Sequence, residues 1–202
     1  HLVLELCTGR RGCGLTSPHR FGSLQRPPMT ARRLERVLAR MAEARDVAVT
    51  LAGAGDPMIH PDAHAFVDRL RAAGALAIEV RTELRSQHAV ADLRRLDADV
   101  VTVDLHAVDA PGYRAMVGPA DFESALQSLH ELAGGRSAAG GSPHPWILPR
   151  VERLRESVAW VPMFLETWTR DADGAVVDAP PQRDPWGGPL SESPAPASGP
   201  PH

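Results

Sequence analysis

Short apolar segments recur along the chain, and a helical pattern separates each one from the next. The segments are residues 1–6, 47–51, 76–80, 100–105, 146–151 and 175–177. Apolar runs of this length predict buried strands of a parallel sheet, and the intervening helices predict right-handed crossovers. Six such units are fewer than the eight that close a TIM barrel. The sequence therefore predicts an α/β fold, a partial (βα)6 TIM-like barrel with a mostly parallel, curved sheet.

The helical patterns carry their own start and stop signals. Thr30 is expected to N-cap the first helix, and Gly74 to end the second, at about residues 62–73. The apolar residues expected on the buried faces of the helices are Leu34, Val37, Leu38 and Met41; Phe66, Val67 and Leu70; Val90, Leu93 and Leu96; Phe122, Leu126, Leu129 and Leu132; and, in a helix at 157–170, Trp160, Val161, Phe164, Leu165 and Trp168. Pro149 should end the fifth strand, because proline cannot donate to a sheet ladder.

Length and composition indicate one ordered domain followed by a tail. A chain of 202 residues with 43% hydrophobic content can bury one sizeable core, which we assign to residues 1–178. Residues 179–202 are rich in Pro, Gly and Ser and lack apolar periodicity, so we expect a disordered tail. The first apolar segment starts at residue 1 without an initiator Met, which suggests a fragment with additional domains outside it.

Charge and cysteine content argue against several classes of function. A net charge of −3 and a pI near 6.3 lack the basic excess of a nucleic-acid-binding surface. No run is long and apolar enough to cross a membrane, and we see no signal peptide before the first strand. Two cysteines in a chain of this length do not make a disulfide framework. We therefore expect a cytoplasmic protein whose partners include neither nucleic acid nor membrane.

The second apolar segment runs directly into a glycine-rich loop. Gly53, Gly55, Asp56 and Pro57 follow the strand at 47–51. Glycine removes Cβ bulk and permits unusual backbone angles. α/β folds bind ligands at the carboxyl ends of their strands, which is where Asp56 lies. These residues are therefore candidates for ligand binding, although an ordinary βα turn also contains Gly and Asp for local reasons.

Three polar residues near the ends of other strands are further candidates. Thr82 follows the third strand, Asp104 lies in the fourth and Arg150 in the fifth. The planar fork of Arg suits a carboxylate, which it binds bidentately. Structural roles are the alternative: Thr82 would cap the next turn and Asp104 would accept backbone N–H bonds. Arg150 would then pair with Glu152 or remain in solvent.

A series of segments occurs in a fixed order over about residues 2–180. They are LELCTGRRGCGLT, MTARRLERVL, VTLAGAGDPMIHPDAHAFVDRLRAAG, IEVRTEL, VVTVDLHAVDAPGYRAMVG and PWILPRVERL. In this order they resemble parts of the radical SAM superfamily core, in particular of its SPASM-type, peptide-modifying members. Those parts are the first strand with its cluster loop, the helix that follows, the strand with its Gly-Gly-Glu-Pro loop and second helix, and three later strands. Asp56 stands where the family usually has Glu.

The resemblance implies a [4Fe-4S] cluster held by the three cysteines of a CxxxCxxC loop. The open iron would bind the amino and carboxylate groups of S-adenosylmethionine, and reductive cleavage would yield a 5′-deoxyadenosyl radical that takes a hydrogen atom from substrate. In the family the Gly-Gly-Glu-Pro loop contacts the methionyl amino group through backbone oxygens. Gly53, Gly55, Asp56 and Pro57 match that loop. Asp is one methylene shorter than Glu, which a backbone contact tolerates.

The cluster loop departs from the family pattern. The motif separates its cysteines by three, four or seven positions, whereas Cys7 and Cys13 are six apart, so both cannot belong to it. Every alignment of the motif with this loop leaves one cysteine at a ligand position. If Cys13 is the middle ligand, Gly9 and Thr16 occupy the other two ligand positions. One thiolate does not hold a cluster that needs about three with an open iron. We therefore expect a degenerate domain, a pseudoenzyme without the family's cluster that retains a small-molecule pocket at the carboxyl end of the sheet.

Two alternatives stay open on the sequence. Asp56, His60, Asp104 and His106 lie at or just after strand ends. Asp and His at such positions can bind Zn²⁺ and activate water, as in a metal-dependent barrel hydrolase, although the first strand lacks the HxH pattern common in that class. The other alternative is a non-catalytic scaffold that binds a peptide or a partner protein, since fold does not dictate function.

Overall fold

The computed structural model alternates strands and helices and describes residues 1–8, 26–84, 89–117, 122–134, 145–153 and 158–178. The strands are β1 (Leu2–Leu4), β2 (Ala48–Leu51), β3 (Ala77–Thr82), β4 (Val100–Asp104), β5 (Trp146–Glu152) and β6 (Val176–Asp178). The helices are α1 (Ala31–Glu43), α2 (Ala63–Ala72), α3 (Ala89–Arg95), α4 (Ala110–Val117), α5 (Phe122–Gly134) and α6 (Val161–Asp171). Each strand bound lies within two residues of the predicted one.

All six strands form one parallel sheet, and their order in the sheet, β1 to β6, is their order in the chain. Since crossovers between parallel neighbours are right-handed, this order puts the helices on one face of the sheet. A doubly wound sheet would instead reverse its strand order at a switch point. Among the described residues, β1 and β6 each pair with one neighbour, so the sheet is not closed. The predicted α/β partial barrel is confirmed.

The two faces of the sheet differ, because side chains alternate along each strand. One face is buried against the helices by Leu4, Val49, Leu51, Ile78, Val80, Val101, Val103, Ile147 and Val151. The helices add to the same core Leu34, Phe66, Leu70, Leu93, Leu129, Phe164 and Trp168. The other face, here called the inner face, carries polar side chains at matching register: Thr50, Glu79, Arg81, Thr102, Asp104 and Arg150. The inner face is the inside of the partial barrel.

The first helices begin and end at the predicted signals. Oγ1 of Thr30 accepts a hydrogen bond from the N–H of Arg33 at 3.3 Å, which confirms the N-cap of α1. Gly74 follows α2 with a φ of +86°, a left-handed conformation that glycine adopts readily, and it ends that helix as predicted. The sequence did not predict α4, whose segment APGYRAMV contains Pro and Gly near its start.

The last helix starts later than predicted. Val158–Trp160 form a single 3-10 turn, and α6 follows with Pro162 in its first turn, where proline is tolerated because its missing N–H would have no helical partner. Phe164 and Trp168 are buried as expected, but Leu165 is 36% exposed, so its predicted burial is wrong. Successive helical residues are about 100° apart around the axis, which turns Leu165 away from the face that Phe164 and Trp168 share.

β5 continues through Pro149, so the prediction that proline stops the strand is wrong. Ile147 and Arg153 form backbone hydrogen bonds on the β6 side, with Asp173 and Asp178 respectively. Because the backbone groups of a strand alternate in direction, the nitrogen of Pro149 faces that side as well. The ladder to β6 starts one residue later, at Arg150. The N–H that Pro149 lacks would therefore lie just before that ladder, where no strand partner needs it.

Two predictions concern residues outside the described ranges. These are the cluster loop, of which 9–25 is not described, and the predicted tail at 179–202. Of the helices that the structure describes, none has the length and apolar character needed to cross a membrane.

Candidate functional site

The loop after β2 is built around Gly53. Its φ is +143°, and a Cβ added there would lie 2.6 Å from both Cγ and Oε2 of Glu5. Oε2 of Glu5 accepts a hydrogen bond from the N–H of Ala54 at 2.7 Å, while Oε1 pairs with Nη2 of Arg26 at 2.9 Å. Glycine at this position therefore allows the Glu5 carboxylate to approach the loop backbone. No signal in the sequence indicates that Glu5 has this role.

Asp56 is the centre of a buried hydrogen-bond network that joins β2 to β3. Its Oδ1 accepts from the N–H of Met58 at 2.9 Å. Its Oδ2 accepts from the Oγ1–H of Thr82 at 2.8 Å and from the N–H of Glu83 at 2.9 Å. Asp56 is only 6% exposed, so these donors take the place of water around the carboxylate. Two predicted site residues, Asp56 and Thr82, are thus in direct contact.

Cys7 follows β1 and contributes to the same network. It is buried, and its thiol donates to the backbone carbonyl of Asp56 over 3.1 Å. Cys13, the only other cysteine in the sequence, lies outside the described residues. A cluster ligand presents its thiolate to iron. The Cys7 side chain contacts the loop that contains Asp56, and its role as a cluster ligand stays a matter for proposal.

A second buried pair connects the ends of β3 and β4. Nε2 of His106 lies 3.3 Å from Oε1 of Glu83, and these side chains are 7% and 2% exposed. Glu83 reaches Asp56 through its backbone N–H, so the pair extends the Asp56 network to β4. The sequence places His106 among candidate metal ligands and carries no signal for its contact with Glu83, because the two residues are 23 positions apart.

Arg150 lies between carboxylates from three strands. Its Nη1 donates to Asp104 at 2.7 Å, its Nη2 to Glu152 at 3.3 Å and its Nε to Asp178 at 2.6 Å. Burial alone would lower the pKa of Arg150, but Asp104 and Asp178 outweigh burial and raise it above its ordinary value. Arg150 is therefore a cation that ties β4, β5 and β6 together. Its contact with a ligand stays a prediction.

Glu79 organises the middle of the inner face. Its carboxylate accepts hydrogen bonds from Oγ1 of Thr50 and Oγ1 of Thr102, each at 2.7 Å, and from Nε of Arg81 at 2.9 Å. Burial would raise the pKa of Glu79, but these hydrogen bonds outweigh burial and lower it. The alternation of polar and apolar residues in AIEVRT is the sequence signal that could have predicted this polar face.

The residues of the hydrolase hypothesis make other contacts. Nδ1 of His60 accepts from the N–H of Asp62 at 3.0 Å, so its Nε2 carries the proton and donates to the carbonyl of Met29 at 2.9 Å. This ring joins the start of α2 to the segment before α1. In the part of the chain that the structure describes, no group of three or more His, Cys, Asp or Glu side chains could hold a metal ion. The hydrolase hypothesis stays a prediction.

The predicted site residues fall into two neighbouring groups at the carboxyl end of the sheet. The group at β2 and β3 consists of Gly53, Gly55, Asp56, Pro57 and Thr82. The group at β4 and β5 consists of Asp104 and Arg150. The structure adds two glutamates that contact the first group: the half-buried Glu5 accepts from the N–H of Ala54 through its carboxylate, and the buried Glu83 donates its backbone N–H to Asp56.

Radical SAM enzymes are the class of protein whose fold this chain shares. SuiB of Streptococcus suis bound to precursor peptide SuiA gives a TM-score of 0.66 at 13% identity, covering 90% of this chain and 39% of SuiB. SuiB bound to S-adenosylmethionine gives 0.66 at 12% identity, covering 95% of this chain and 43% of SuiB. Methylornithine synthase (PylB) gives 0.62 at 16% identity, covering 94% of this chain and 56% of that protein.

These likenesses concern the fold and only part of the length. The chain spans between 39% and 56% of these solved proteins, at identities of 12% to 16%. No family model matches the sequence, and no curated protein matches it significantly. The expected radical SAM fold is confirmed, and the ligand and reaction are matters for proposal.

Proposed function

We propose that this chain is a radical SAM-like domain that binds a small molecule at the carboxyl end of its sheet and has lost the family's iron–sulfur cluster. The proposed ligand is S-adenosylmethionine, with which SuiB has been solved. The proposed binding residues are Gly53, Gly55, Asp56, Pro57, Thr82, Asp104 and Arg150. The observation that carries the proposal is the Asp56 network, which fixes the glycine loop to the end of β3.

The Asp56 network supports binding because it orders the loop before a ligand arrives. Glu5 holds the loop at Ala54, and Asp56 holds it at Met58 and Thr82. A loop that is already ordered loses little conformational entropy on binding. The carboxyl ends of parallel strands are also where α/β folds bind their ligands.

The cysteines of this chain do not fit a [4Fe-4S] cluster. Cys7 and Cys13 are six positions apart, so any register of the motif contains one thiolate. Cys7 is also engaged with the carbonyl of Asp56. The proposed activity is therefore ligand binding without reductive cleavage.

Asp104 and Arg150 contribute to the proposed site through their charges. Arg150 already donates to protein carboxylates through Nε and both Nη atoms, so a ligand carboxylate would compete with Asp104, Glu152 and Asp178. The proposed role of Arg150 is to neutralise Asp104 beside the ligand.

Calorimetric titration of the chain with S-adenosylmethionine tests the ligand. We expect saturable binding that Asp56→Asn weakens by roughly tenfold or more, because the amide leaves a loop N–H without its charged acceptor. Asp68→Asn, on the exposed side of α2, is the matched control and should bind like the wild type. A wild-type chain that is folded and does not bind contradicts the proposed ligand.

Anaerobic reconstitution with iron and sulfide tests the loss of the cluster. We expect no bound iron, no bound sulfide and no cluster absorption, with Cys13→Ala indistinguishable from the wild type. A cluster that forms in the wild type and disappears in Cys13→Ala would overturn this part of the proposal and restore cleavage of S-adenosylmethionine as the function.

A non-catalytic peptide- or protein-binding scaffold is the second candidate. The observation in its favour is that SuiB has also been solved bound to a precursor peptide. The two candidates differ in the calorimetric result, because a scaffold has no need of S-adenosylmethionine. A stable chain that binds neither iron nor S-adenosylmethionine would favour the scaffold.

A further inference from the structure

Residues with left-handed backbone conformations occur at both ends of the sheet, but they differ in burial. Among the described residues, the non-glycine residues with positive φ are Asp46 (+59°), Leu84 (+51°) and His106 (+63°). Asp46 is exposed between α1 and β2, at the amino end of the strands, and Asp tolerates this conformation. Leu84 and His106 follow β3 and β4 at the carboxyl end, and both are buried.

His106 is the central residue of a tight turn. The N–H of Ala107 donates to the carbonyl of Leu105 at 2.8 Å, which closes a three-residue turn around the positive φ of His106. A γ-turn with a positive φ is rare and strained. Side-chain-bearing residues avoid this region because Cβ approaches the following carbonyl oxygen.

The two left-handed turns bring together side chains that lead to Asp56. The turn at β4 puts Nε2 of His106 3.3 Å from Oε1 of Glu83. At β3, Leu84 donates its N–H to Oγ1 of Thr82 at 3.2 Å, and Thr82 in turn donates to Asp56. Glu83, between them, donates its N–H to the same oxygen of Asp56. A chain of contacts thus runs from β4 to the glycine loop.

Fold stability alone does not account for this arrangement. A buried hydrogen bond between a histidine and a carboxylate adds only modest net stability, because both groups give up hydrogen bonds to water when they are buried. The strained turn at His106 opposes folding as well. Strained backbone persists where the surrounding structure holds it for a specific geometry, and such sites cluster where ligands bind.

We propose that Glu83 and His106 are positioning residues that hold Asp56, and through it the loop at 53–57, in its ligand-binding conformation. The identity of the ligand rests on the proposed function. The positioning of the loop does not, because it concerns contacts within the chain.

Hydrogen exchange of backbone amides tests the positioning directly. The variants are His106→Gly, which removes the ring and relaxes the turn, and Glu83→Gln, which keeps the size and the backbone N–H. Asp46→Gly is the matched control, since it relaxes a similar φ at the opposite end of the sheet. We expect the amides of residues 54–56 and 58 to exchange about tenfold faster in His106→Gly, less so in Glu83→Gln and at an unchanged rate in Asp46→Gly, because one hydrogen bond to a charged group is lost. Amides of β5 should not change.

The affinity for S-adenosylmethionine should fall in the same order, by about tenfold in His106→Gly. Unchanged exchange at 54–56 and 58 in both variants overturns the proposal, as does an equal rise in β5, which would make the pair a source of global stability only. Unchanged affinity in a chain whose loop has loosened also overturns it.

If the wild type does not bind the ligand while the exchange result holds, the proposed ligand fails and the positioning stands. If His106→Gly does not fold, Glu83→Gln decides the outcome.

Discussion

The carboxyl end of the sheet contains two charged groups, Asp56 and Arg150, that the protein holds in different ways. Asp56 accepts from the hydroxyl of Thr82 and from the backbone N–H groups of Met58 and Glu83. Arg150 is surrounded by three carboxylates from β4, β5 and β6. The first arrangement is built from loops with unusual backbone angles, and the second from strands in regular register.

The two arrangements have different roles: the contacts of Asp56 position a loop, and the contacts of Arg150 join strands. The donors around Asp56 fix the direction of its carboxylate and order the loop. The three carboxylates around Arg150 outnumber its single positive charge and connect three strands. We therefore expect substitutions at Arg150 to act mainly on stability, and substitutions around Asp56 to act on both stability and binding.

The largest expected effect is at Arg150. Arg150→Met should lower the free energy of unfolding by about 3–5 kcal/mol, because it leaves the buried carboxylate of Asp104 without its cation. Urea denaturation measures the change. Arg170→Met is the control: the Arg170 side chain is 73% exposed, and surface substitutions of this kind stay within about 0.5 kcal/mol. An Arg150→Met chain that keeps its stability but loses binding would contradict this expectation, because it would show that Arg150 acts mainly on the ligand.

A smaller loss is expected at the glycine loop. Gly53→Ala should cost about 2–3 kcal/mol, since its Cβ overlaps Glu5 and its backbone conformation becomes strained. Gly74→Ala separates these two causes, because Gly74 also has a positive φ but has no atom within 4 Å of the added Cβ. That control should lose only the conformational part, about 1 kcal/mol. Equal losses in the two variants would show that the close approach of Glu5 does not matter.

The smallest effect is a pH dependence at Glu79. Its pKa is lowered in the folded chain, so its contribution to stability is present above the ordinary carboxylate pKa and is lost as the pH falls through the lower folded value. Glu79→Gln should therefore flatten the decline in stability below about pH 4.3. Denaturation between acidic and neutral pH measures this profile. Glu123→Gln, an exposed residue of α5, should leave the profile unchanged, and a Glu79→Gln profile as steep as the wild type would contradict the assignment.

The sequence predicted the sheet because apolar runs and helical periodicity are local signals. It also predicted the glycine loop, because Gly53 and Asp56 follow a strand directly. It could not predict their partners, since Glu5 meets Ala54 over 49 positions of the chain. A glutamate after an apolar strand looks the same in sequence whether it faces solvent or a loop backbone. Arg150 shows the same limit, because two of its three carboxylates come from other strands.

Strand order has a consequence for how the chain folds. Every ladder joins strands that are consecutive in the sequence, and the entropy lost in closing a loop grows with the length of chain between the partners. Each strand can therefore add to the sheet once its predecessor is in place, in the order of synthesis. The surroundings of the two charged groups are then completed at different times: the Asp56 network when β3 has joined, and the Arg150 cluster only when β6 supplies Asp178.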